Sequence, residues 1–251
     1  MRIVLKFGSG ILANPTGTTL DTAQFQRLAA EVAAQVGAGN EVIVVSSGAV
    51  AAGLGVLGLQ ERPEALSARQ ACAAIGQTKL MQLYAESFAA YRLNVAQLLL
   101  THGDLDSRMR HRNARRTLEC LFERGHVVPI INENDSVAVE ELRFGDNDKL
   151  SAEVAQLAGA DALLLLTSVS GLLDGEGKTV AVVDDIDQVA GLARQEKGRL
   201  SVGGMESKLQ AVKIAVEAGI KTWIISGRAP GEIAAALAGV GAGTRFVVKA
   251  R

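Results

Sequence analysis

The sequence predicts an α/β fold built on a largely parallel β-sheet with helices on both faces. Short runs of Val, Ile and Leu alternate with longer amphipathic segments along most of the 251 residues. Gly, Asn, Asp or Ser follow many of these runs, where a strand would turn into the next helix. Repeated strand–helix units of this length form parallel sheets that helices cover on both sides.

Six strands are predicted from runs that are rich in β-branched residues and leucine and are bounded by polar or glycine residues. We expect them at Arg2–Phe7, Glu41–Ser46, Val95–Leu100, Val127–Ile131, Ala162–Thr167 and Thr222–Ser226.

Helical periodicity fills the intervals between these strands. Asp21, with Gln24 three residues later, is typical of a helix start, and Gly37 is typical of a helix end. The other helices are expected after Gly48 and at Ser67–Tyr91, Arg108–Arg124, Asp148–Leu157, Met205–Ala218 and Gly231–Leu237. Residues 168–204 are the most irregular part, and we expect a hairpin or a lid there.

Length and composition exclude several classes of protein. With 48% hydrophobic and 21% charged residues, the chain suits one large core, so we expect a single domain over residues 1–251. A net charge of −1 gives no attraction to nucleic acid or to an anionic membrane. The sequence has no targeting segment and no apolar run long enough to cross a bilayer, so we expect a cytoplasmic protein. Cys72 and Cys120 form no metal-ligand spacing and are expected in the core.

The densest group of polar residues lies between Val127 and Glu153. Asn132–Asp135 follow a predicted strand directly, and Gly145–Asp148 open the next helix. Such residues also make turns and helix caps, the role that we expect for Asn134 and Asp146. Because ligands of open α/β sheets bind at the carboxyl ends of strands, two such clusters indicate a site for a small polar molecule.

Two other strand ends carry groups suited to an anion. Lys6 is followed by Gly8, Ser9 and Gly10, where glycines let backbone N–H groups approach an anion closely. A central parallel strand normally buries an apolar residue at such a position, so Lys6 indicates either a ligand or an exposed edge. Ser47 precedes Gly48 and a helix whose free N–H groups suit a carboxylate or phosphate, although Ser47 also suits a plain N-cap.

A second lysine stands out in the helix that begins near Met205. Glu206, Gln210, Lys213 and Glu217 group on one side of that helix, and Lys208 lies on the opposite flank. Lys208 also lies in the first turn, where the helix dipole disfavours a cation. A negative ligand at this helix start explains both features better than a lysine that extends to solvent.

Two lysines on separate elements, glycine-rich turns and nearby carboxylates together indicate phosphoryl transfer. The chain has no Walker A motif, and His102, His111 and His126 form no cluster. A carboxylate acceptor is already ionised at neutral pH and needs no general base. The basic run at 108–116 is interleaved with apolar residues, as in an ordinary solvated or subunit-facing helix.

Six motifs give a more specific indication. KFGSG, VVSSGAVAAG, INENDSVA, GDNDKLSA, LLLLTS and GGMESKLQAV follow one another almost from end to end of the chain. In this order they resemble the glutamate-phosphorylating members of the amino acid kinase family, with INEND and GDND as the most discriminating pair. The resemblance implies a three-layer αβα sandwich around a mainly parallel sheet.

The implied reaction moves the γ-phosphoryl group of ATP to the side-chain carboxylate of L-glutamate, giving L-glutamyl 5-phosphate, the first step toward proline. Mg²⁺ is expected with ATP, because it neutralises phosphate charge. Proline is expected as a feedback inhibitor that competes with glutamate, and we expect a homo-oligomer. No metal ligand from the chain is predicted.

The resemblance also implies roles for particular residues. Lys6 and Lys208 would neutralise the moving phosphoryl group, and Asp148 would order these lysines. Ser47, Asp135 and Asn147 would hold glutamate. The ATP site would be lined by Lys6, Gly8, Ser9, Gly10, Thr167, Ser168, Val202, Gly203, Gly204, Met205, Glu206, Ser207 and Lys208.

Three departures from the family pattern are visible, and two alternative functions stay open. The chain ends at Arg251, so the C-terminal RNA-binding-like PUA domain of many members is not expected. Ser168 stands where Asp is expected and Leu173 where Tyr is expected, which affects nucleotide contacts.

Family members that phosphorylate N-acetylglutamate, aspartate, carbamate or a nucleoside monophosphate are one alternative class. A catalytically silent amino-acid sensor is another, although it would not need two lysines and Asp148. A carboxylate at Asp135 favours an acceptor with a free α-ammonium, which N-acetylglutamate lacks.

Overall fold

The structure, a computed structural model, describes residues 1–138, 147–193, 204–241 and 243–248. Its strands are β1 (Arg2–Phe7), β2 (Glu41–Ser46), β3 (Asn94–Leu100), β4 (Val127–Glu133), β5 (Ala162–Thr167), β6 (Val182–Val183), β7 (Lys221–Ser226) and β8 (Thr244–Phe246). They form one sheet in the order β3-β4-β2-β1-β5-β7-β8-β6. Strand β8 pairs antiparallel with β7, while the other pairs of described strands are parallel.

The helices of the described residues are α1 (Ser9–Leu12), α2 (Thr22–Gly37), α3 (Ala49–Leu57), α4 (Leu66–Ala89), α5 (His102–Asp106), α6 (Arg108–Arg124), α7 (Asn147–Ala158), α8 (Ile186–Ala193), α9 (Met205–Glu217) and α10 (Glu232–Ala238). All predicted strands and helices are present, with boundaries shifted by a few residues at most. The predicted cap of α2 is confirmed, because Asp21 accepts a hydrogen bond from the Gln24 backbone N–H at 3.2 Å. The short elements α1, α5, α8, β6 and β8 were not predicted.

Two apolar cores lie on opposite faces of the sheet. The alternation of side chains along β1 divides them: Ile3, Leu5 and Phe7 join one core, and Val4 joins the other. Helices α2, α4 and α10 contribute to the first core, and α6, α7 and α9 contribute to the second. This arrangement is a three-layer αβα sandwich and confirms the predicted fold class.

Lys6 lies in the middle of the sheet. Strand β1 pairs with β2 on one side and β5 on the other, and only 5% of Lys6 is exposed. The alternative of a lysine on an exposed edge is therefore wrong. Period-2 alternation places Lys6 on the same face as Val4, toward the core that α7 and α9 cover.

A close contact between α3 and α4 fixes the start of α3. A methyl group at Gly53 would overlap the Cys72 carbonyl oxygen, and one at Gly76 would overlap the Ala49 carbonyl oxygen. The two helix backbones can approach this closely because neither glycine has a side chain. Since Ala49 is the first residue of α3, this contact also positions the turn that precedes it.

The predicted hairpin in the irregular segment is confirmed, because Leu173 forms an antiparallel bridge with Thr179. The cysteine prediction is half right: Cys72 is buried but Cys120 is exposed. Cys120 lies on α6, where Leu118 is the one buried residue, so most of that helix faces solvent. Within the described ranges, no helix has the length and apolar character needed to span a membrane.

Candidate active site

Two buried lysines and one buried aspartate meet at the carboxyl edge of the sheet. Lys6 Nζ lies 2.5 Å from Asp148 Oδ1, and Lys208 Nζ lies 3.0 Å from Asp148 Oδ2. Lys6 comes from β1, Asp148 from the first turn of α7 and Lys208 from the first turn of α9. The three residues predicted to act together are thus in direct contact.

The two ammonium groups set the ionisation of the aspartate. Burial by itself would raise the pKa of Asp148, but the charges and hydrogen bonds of Lys6 and Lys208 lower it from 3.8 to about 2. Asp148 is therefore a carboxylate at neutral pH. With one negative and two positive charges, the group keeps a net positive charge, which suits an added phosphoryl group.

Helix α9 turns its other charged residues away from this centre. Glu206, Gln210, Lys213 and Glu217 are exposed, whereas only 7% of Lys208 is exposed. This matches the predicted grouping on opposite flanks. Ser207 also reaches the centre, because its hydroxyl donates to Asp148 Oδ2 at 2.9 Å.

The glycine turn after β1 lies against the lysine. A methyl group at Gly8 would be 3.5 Å from Lys6 Nζ, and one at Gly10 would be 3.9 Å from Ser168 Oγ. Strand β5 pairs with β1 and ends at Thr167, so the residues predicted for ATP from these two strands share one edge. Ser9 begins the short helix α1 rather than an open turn. Gly204 is the N-cap of α9 and Met205 and Glu206 follow it, while Val202 and Gly203 lie outside the described residues.

A chain of side-chain amides joins the strand ends next to this centre. Asn147 Nδ2 lies 2.8 Å from the Ser46 carbonyl oxygen, 3.1 Å from Ser47 Oγ and 3.0 Å from Asn132 Oδ1. Asn132 Nδ2 in turn donates to Gln77 Oε1 of α4 at 2.8 Å. Ser47 and Asn147 were predicted together and are in contact, whereas Asn132 and Gln77 were not assigned a role.

Ser47 does not cap α3 in this structure. The N-cap is Gly48, whose φ of 102° is a left-handed conformation that favours glycine, and no side chain caps the helix. The Ser47 hydroxyl instead lies beside Asn147. This leaves the backbone N–H groups at the start of α3 available to a ligand.

Asp135 lies on the turn after β4, on the side of the site that faces α4. Burial and the nearby charge of Arg69 lower the pKa of Arg62, and the Asp135 carboxylate raises it. Asp135 is thus close enough to Arg62 for its charge to act there. Asn134, expected in a turn, accepts hydrogen bonds at its backbone carbonyl from Val137 and Ala138. Gly145 and Asp146 lie outside the described residues.

A second ionisable pair ties α5 to α7. His102 Nδ1 lies 2.5 Å from Glu153 Oε2, and Lys149 Nζ lies 3.5 Å from Glu153 Oε1. The hydrogen bond that His102 donates to the Glu153 carboxylate raises the pKa of His102 despite partial burial. The three histidines form no cluster in the sequence, and the partner of His102, 51 residues away, has no local signal there.

The described residues contain no group of three or more His, Cys, Asp or Glu side chains that would hold a metal ion. Both oxygens of Asp148 already face lysine ammonium groups. The described part of the chain therefore does not fit a metal site made of protein ligands. A divalent cation that accompanies ATP takes its ligands mainly from phosphates and water.

Comparison with known proteins identifies the family. The amino acid kinase family model matches residues 1–226. The chain is 46% identical to glutamate 5-kinase of Meiothermus ruber over 98% of the chain and 66% of that protein. It is 45% identical to glutamate 5-kinase of Thermus thermophilus over 100% of the chain and 68% of that protein. The chain thus spans about two thirds of the length of these curated relatives.

Solved structures of low sequence identity share the fold. Uridylate kinase from Archaeoglobus fulgidus superposes with a TM-score of 0.64 at 18% identity, covering 98% of this chain and 100% of that chain. UMP kinase from Bacillus anthracis gives 0.63 at 15% identity, covering 99% and 96%. Together with the family model and the relatives, the superposed fold and the predicted motifs lead to one conclusion: the chain belongs to the amino acid kinase family.

Proposed function

We propose that the chain transfers the γ-phosphoryl group of ATP to the side-chain carboxylate of L-glutamate, the first step of proline biosynthesis. The observation that carries the proposal is the buried group of Lys6, Asp148 and Lys208 at the mouth of the sheet. The names of relatives that are 44% to 46% identical over nearly the whole chain point to the same acceptor.

In this mechanism the chain contributes position and charge. Lys6 and Lys208 neutralise the phosphoryl oxygens in the transition state, and Asp148 holds the two ammonium groups at a fixed separation. The acceptor carboxylate is ionised at neutral pH, so no side chain has to remove a proton from it. This agrees with a centre that contains no histidine.

Glutamate lies on the side of this centre formed by α3, β4 and α7. The Ser47 hydroxyl, the Asn147 amide and the free backbone N–H groups at the start of α3 are the polar groups offered to it there. Asp135 supplies a negative charge for the α-ammonium. N-acetylglutamate carries a neutral amide in place of that ammonium and loses this attraction, which disfavours it as an acceptor.

The nucleotide occupies the other side, between the turn after β1 and the start of α9. Gly8, Ser9 and Gly10 approach the phosphates, and Thr167 and Ser168 lie at the end of the neighbouring strand. Gly204, Met205, Glu206 and Ser207, at the start of α9, stand beside Lys208 on this side, while Val202 and Gly203, also predicted for ATP, lie outside the described residues. Mg²⁺ enters as part of the ATP complex.

Four expectations stay predictions: inhibition by proline in competition with glutamate, a homo-oligomeric state, a cytoplasmic location, and one domain over residues 1–251. Saturation curves for glutamate at several proline concentrations test the first. Inhibition that persists at saturating glutamate would place proline at a different site.

The experiment that tests the proposed function measures ADP release with ATP, Mg²⁺ and a panel of acceptors. We expect release that depends on L-glutamate, and trapping of the acyl phosphate as a hydroxamate when hydroxylamine is added. N-acetylglutamate, aspartate and UMP serve as competing acceptors, and N-acetylglutamate should be used at least about thirtyfold less efficiently in kcat/KM. If another acceptor is used more efficiently than glutamate, that acceptor is the substrate and the assignment of glutamate is wrong. Absence of turnover with every acceptor would favour a sensor.

A variant ties this activity to the described centre. Lys208→Ala should lower turnover by about 10²- to 10³-fold, because it removes one charge stabiliser from a buried site. Lys213→Ala is the matched control on the same helix, since Lys213 is exposed, and should leave turnover unchanged. Near-normal turnover of folded Lys208→Ala would remove Lys208 from the mechanism.

A further inference from the structure

Arg69, in the first turn of α4, has a buried nitrogen without a partner. Its Nε atom is shielded from solvent and makes no hydrogen bond with any described residue. A guanidinium group stays charged at every physiological pH, and a buried donor that lacks an acceptor is costly. Such a donor calls for an acceptor that the described residues do not supply.

The surroundings of Arg69 belong to the proposed glutamate site. Gln70, the next residue, donates from Nε2 to the Ala138 carbonyl oxygen at 3.3 Å, which ties the start of α4 to the turn that carries Asp135. The charges of both Arg69 and Asp135 act on Arg62. Two arginines and one aspartate therefore share this corner of the site.

Two other buried polar atoms on this side of the site also lack a hydrogen-bond partner. Gln77 Nε2 on α4 and Asn147 Oδ1 on α7 are buried and make no hydrogen bond with described residues. These two side chains are linked through Asn132, which hydrogen-bonds to both. At the carboxyl edge of the sheet, where Asn132 links α4 on one face to α7 on the other, unpaired donors and an unpaired acceptor are thus available, as a site for a small zwitterion requires.

A comparison of the charges of glutamate with those of the predicted site residues shows that one charged group of the substrate has no partner of opposite charge. Free glutamate carries a reacting side-chain carboxylate, an α-ammonium and an α-carboxylate. The lysines face the reacting end, and Asp135 suits the ammonium. Ser47 and Asn147 are neutral, so none of the predicted residues supplies a positive charge for the α-carboxylate.

We propose that Arg69 binds the α-carboxylate of the amino-acid acceptor, with Gln77 as a neutral donor beside it. The planar guanidinium group matches a carboxylate with two parallel N–H donors, and its Nε is the atom left unpaired. This inference rests on the proposed function and adds a specificity residue to it. It makes α4, together with the turn that carries Asp135, the part of the site that distinguishes an amino acid from a simple carboxylic acid.

The test compares L-glutamate with its α-amide, isoglutamine, in which a neutral amide replaces the α-carboxylate and the reacting carboxylate is retained. The intact protein should use the α-amide at least about thirtyfold less efficiently in kcat/KM, because a buried charged donor loses its partner. In Arg69→Ala the KM for glutamate should rise by a similar factor. The two acceptors should then become equivalent within about threefold, with the KM for ATP unchanged.

Two further variants complete the design. Lys79→Ala removes an exposed cation from the same helix, where Lys79 donates to Gln82, and should change none of these values. Arg69→Lys keeps the charge without the paired donors and should show intermediate discrimination.

Equal use of glutamate and its α-amide by the unmodified protein overturns the inference, even if Arg69→Ala does not fold. Full discrimination in folded Arg69→Ala also overturns it, while glutamate-dependent ADP release by the unmodified protein keeps the proposed function intact. Absence of that release refutes the proposed function, and the assignment of Arg69 is refuted with it.

Discussion

Replacing Asp148 by Asn tests the electrostatic design of the centre. The change keeps the size of the side chain and removes the negative charge that lies 2.5 Å from Lys6 Nζ and 3.0 Å from Lys208 Nζ. Two buried ammonium groups would then face each other without a carboxylate. We expect the free energy of unfolding to fall and the phosphoryl-transfer rate to fall with it.

The magnitude follows from the pKa and from burial. Lowering the pKa of Asp148 from 3.8 to about 2 corresponds to about 2 kcal/mol of stability at neutral pH. Removing one partner of a buried ion pair costs about 3–5 kcal/mol, because it leaves an uncompensated charge. The unfolding free energy of Asp148→Asn should therefore be about 2–5 kcal/mol lower than that of the unmodified protein.

Urea unfolding followed by circular dichroism, without nucleotide, measures this difference. The matched control is Asp187→Asn, which breaks the exposed pair of Lys213 and Asp187, 2.9 Å apart. An exposed pair contributes about 0–1 kcal/mol, so the control should change stability little.

The pH dependence has a defined sign. Because the folded-state pKa of Asp148 is lowered, its contribution is present above the usual value of 3.8 and is lost as the pH falls toward about 2. The difference in unfolding free energy between the unmodified protein and Asp148→Asn, called the gap below, should narrow over that range. A gap below about 1 kcal/mol at neutral pH, or a gap that widens in acid, would refute the assignment of charge at this centre.

Two further predictions concern the packing around the site. Glu153→Gln should lower the melting temperature most below pH 6.5 and least at alkaline pH. The raised pKa of His102 means that its pairing with Glu153 stabilises the fold until His102 loses its proton. If melting scans show an equal loss at every pH, the His102–Glu153 pair is not the source of the stability that is lost. Gly76→Ala should lower the unfolding free energy by about 1–3 kcal/mol or more, since a methyl group there meets the backbone of α3. Gly191→Ala in α8, where a methyl group meets nothing within 4 Å, is the control, and equal effects in urea titrations of the two variants would contradict the close helix contact.

The extent of each main element could be predicted because the information is local. Alternation along β1, the Asp21 cap of α2 and the charged flank of α9 each depend on residues a few positions apart. The predicted relation to glutamate 5-kinases is confirmed by the relatives, and the fold class by the layered sheet. The two lysines of the centre were also predicted, because charged residues at the ends of buried elements contrast with their neighbours, and the resemblance to the family implied the role of Asp148.

Short elements could not be predicted, since two or three residues carry no measurable period. Strand β6 exists because it pairs with β8, about 60 residues later in the chain, and β8 in turn pairs with β7. The exposure of Cys120 likewise depends on how little of α6 touches the sheet layer.

The sequence by itself determined the helices, the strands and the kind of chemistry, because periodicity, caps and glycine turns act over a few residues. Only the tertiary structure decided which of the polar residues share a site. Lys208 reaches Asp148 across 60 residues of sequence, and Gln77 reaches Asn132 across 55. Arg69 and Gln77 lie within an ordinary helical pattern. Their unpaired nitrogens become visible only when α4 packs beside the sheet, since burial and missing partners are properties of the folded chain.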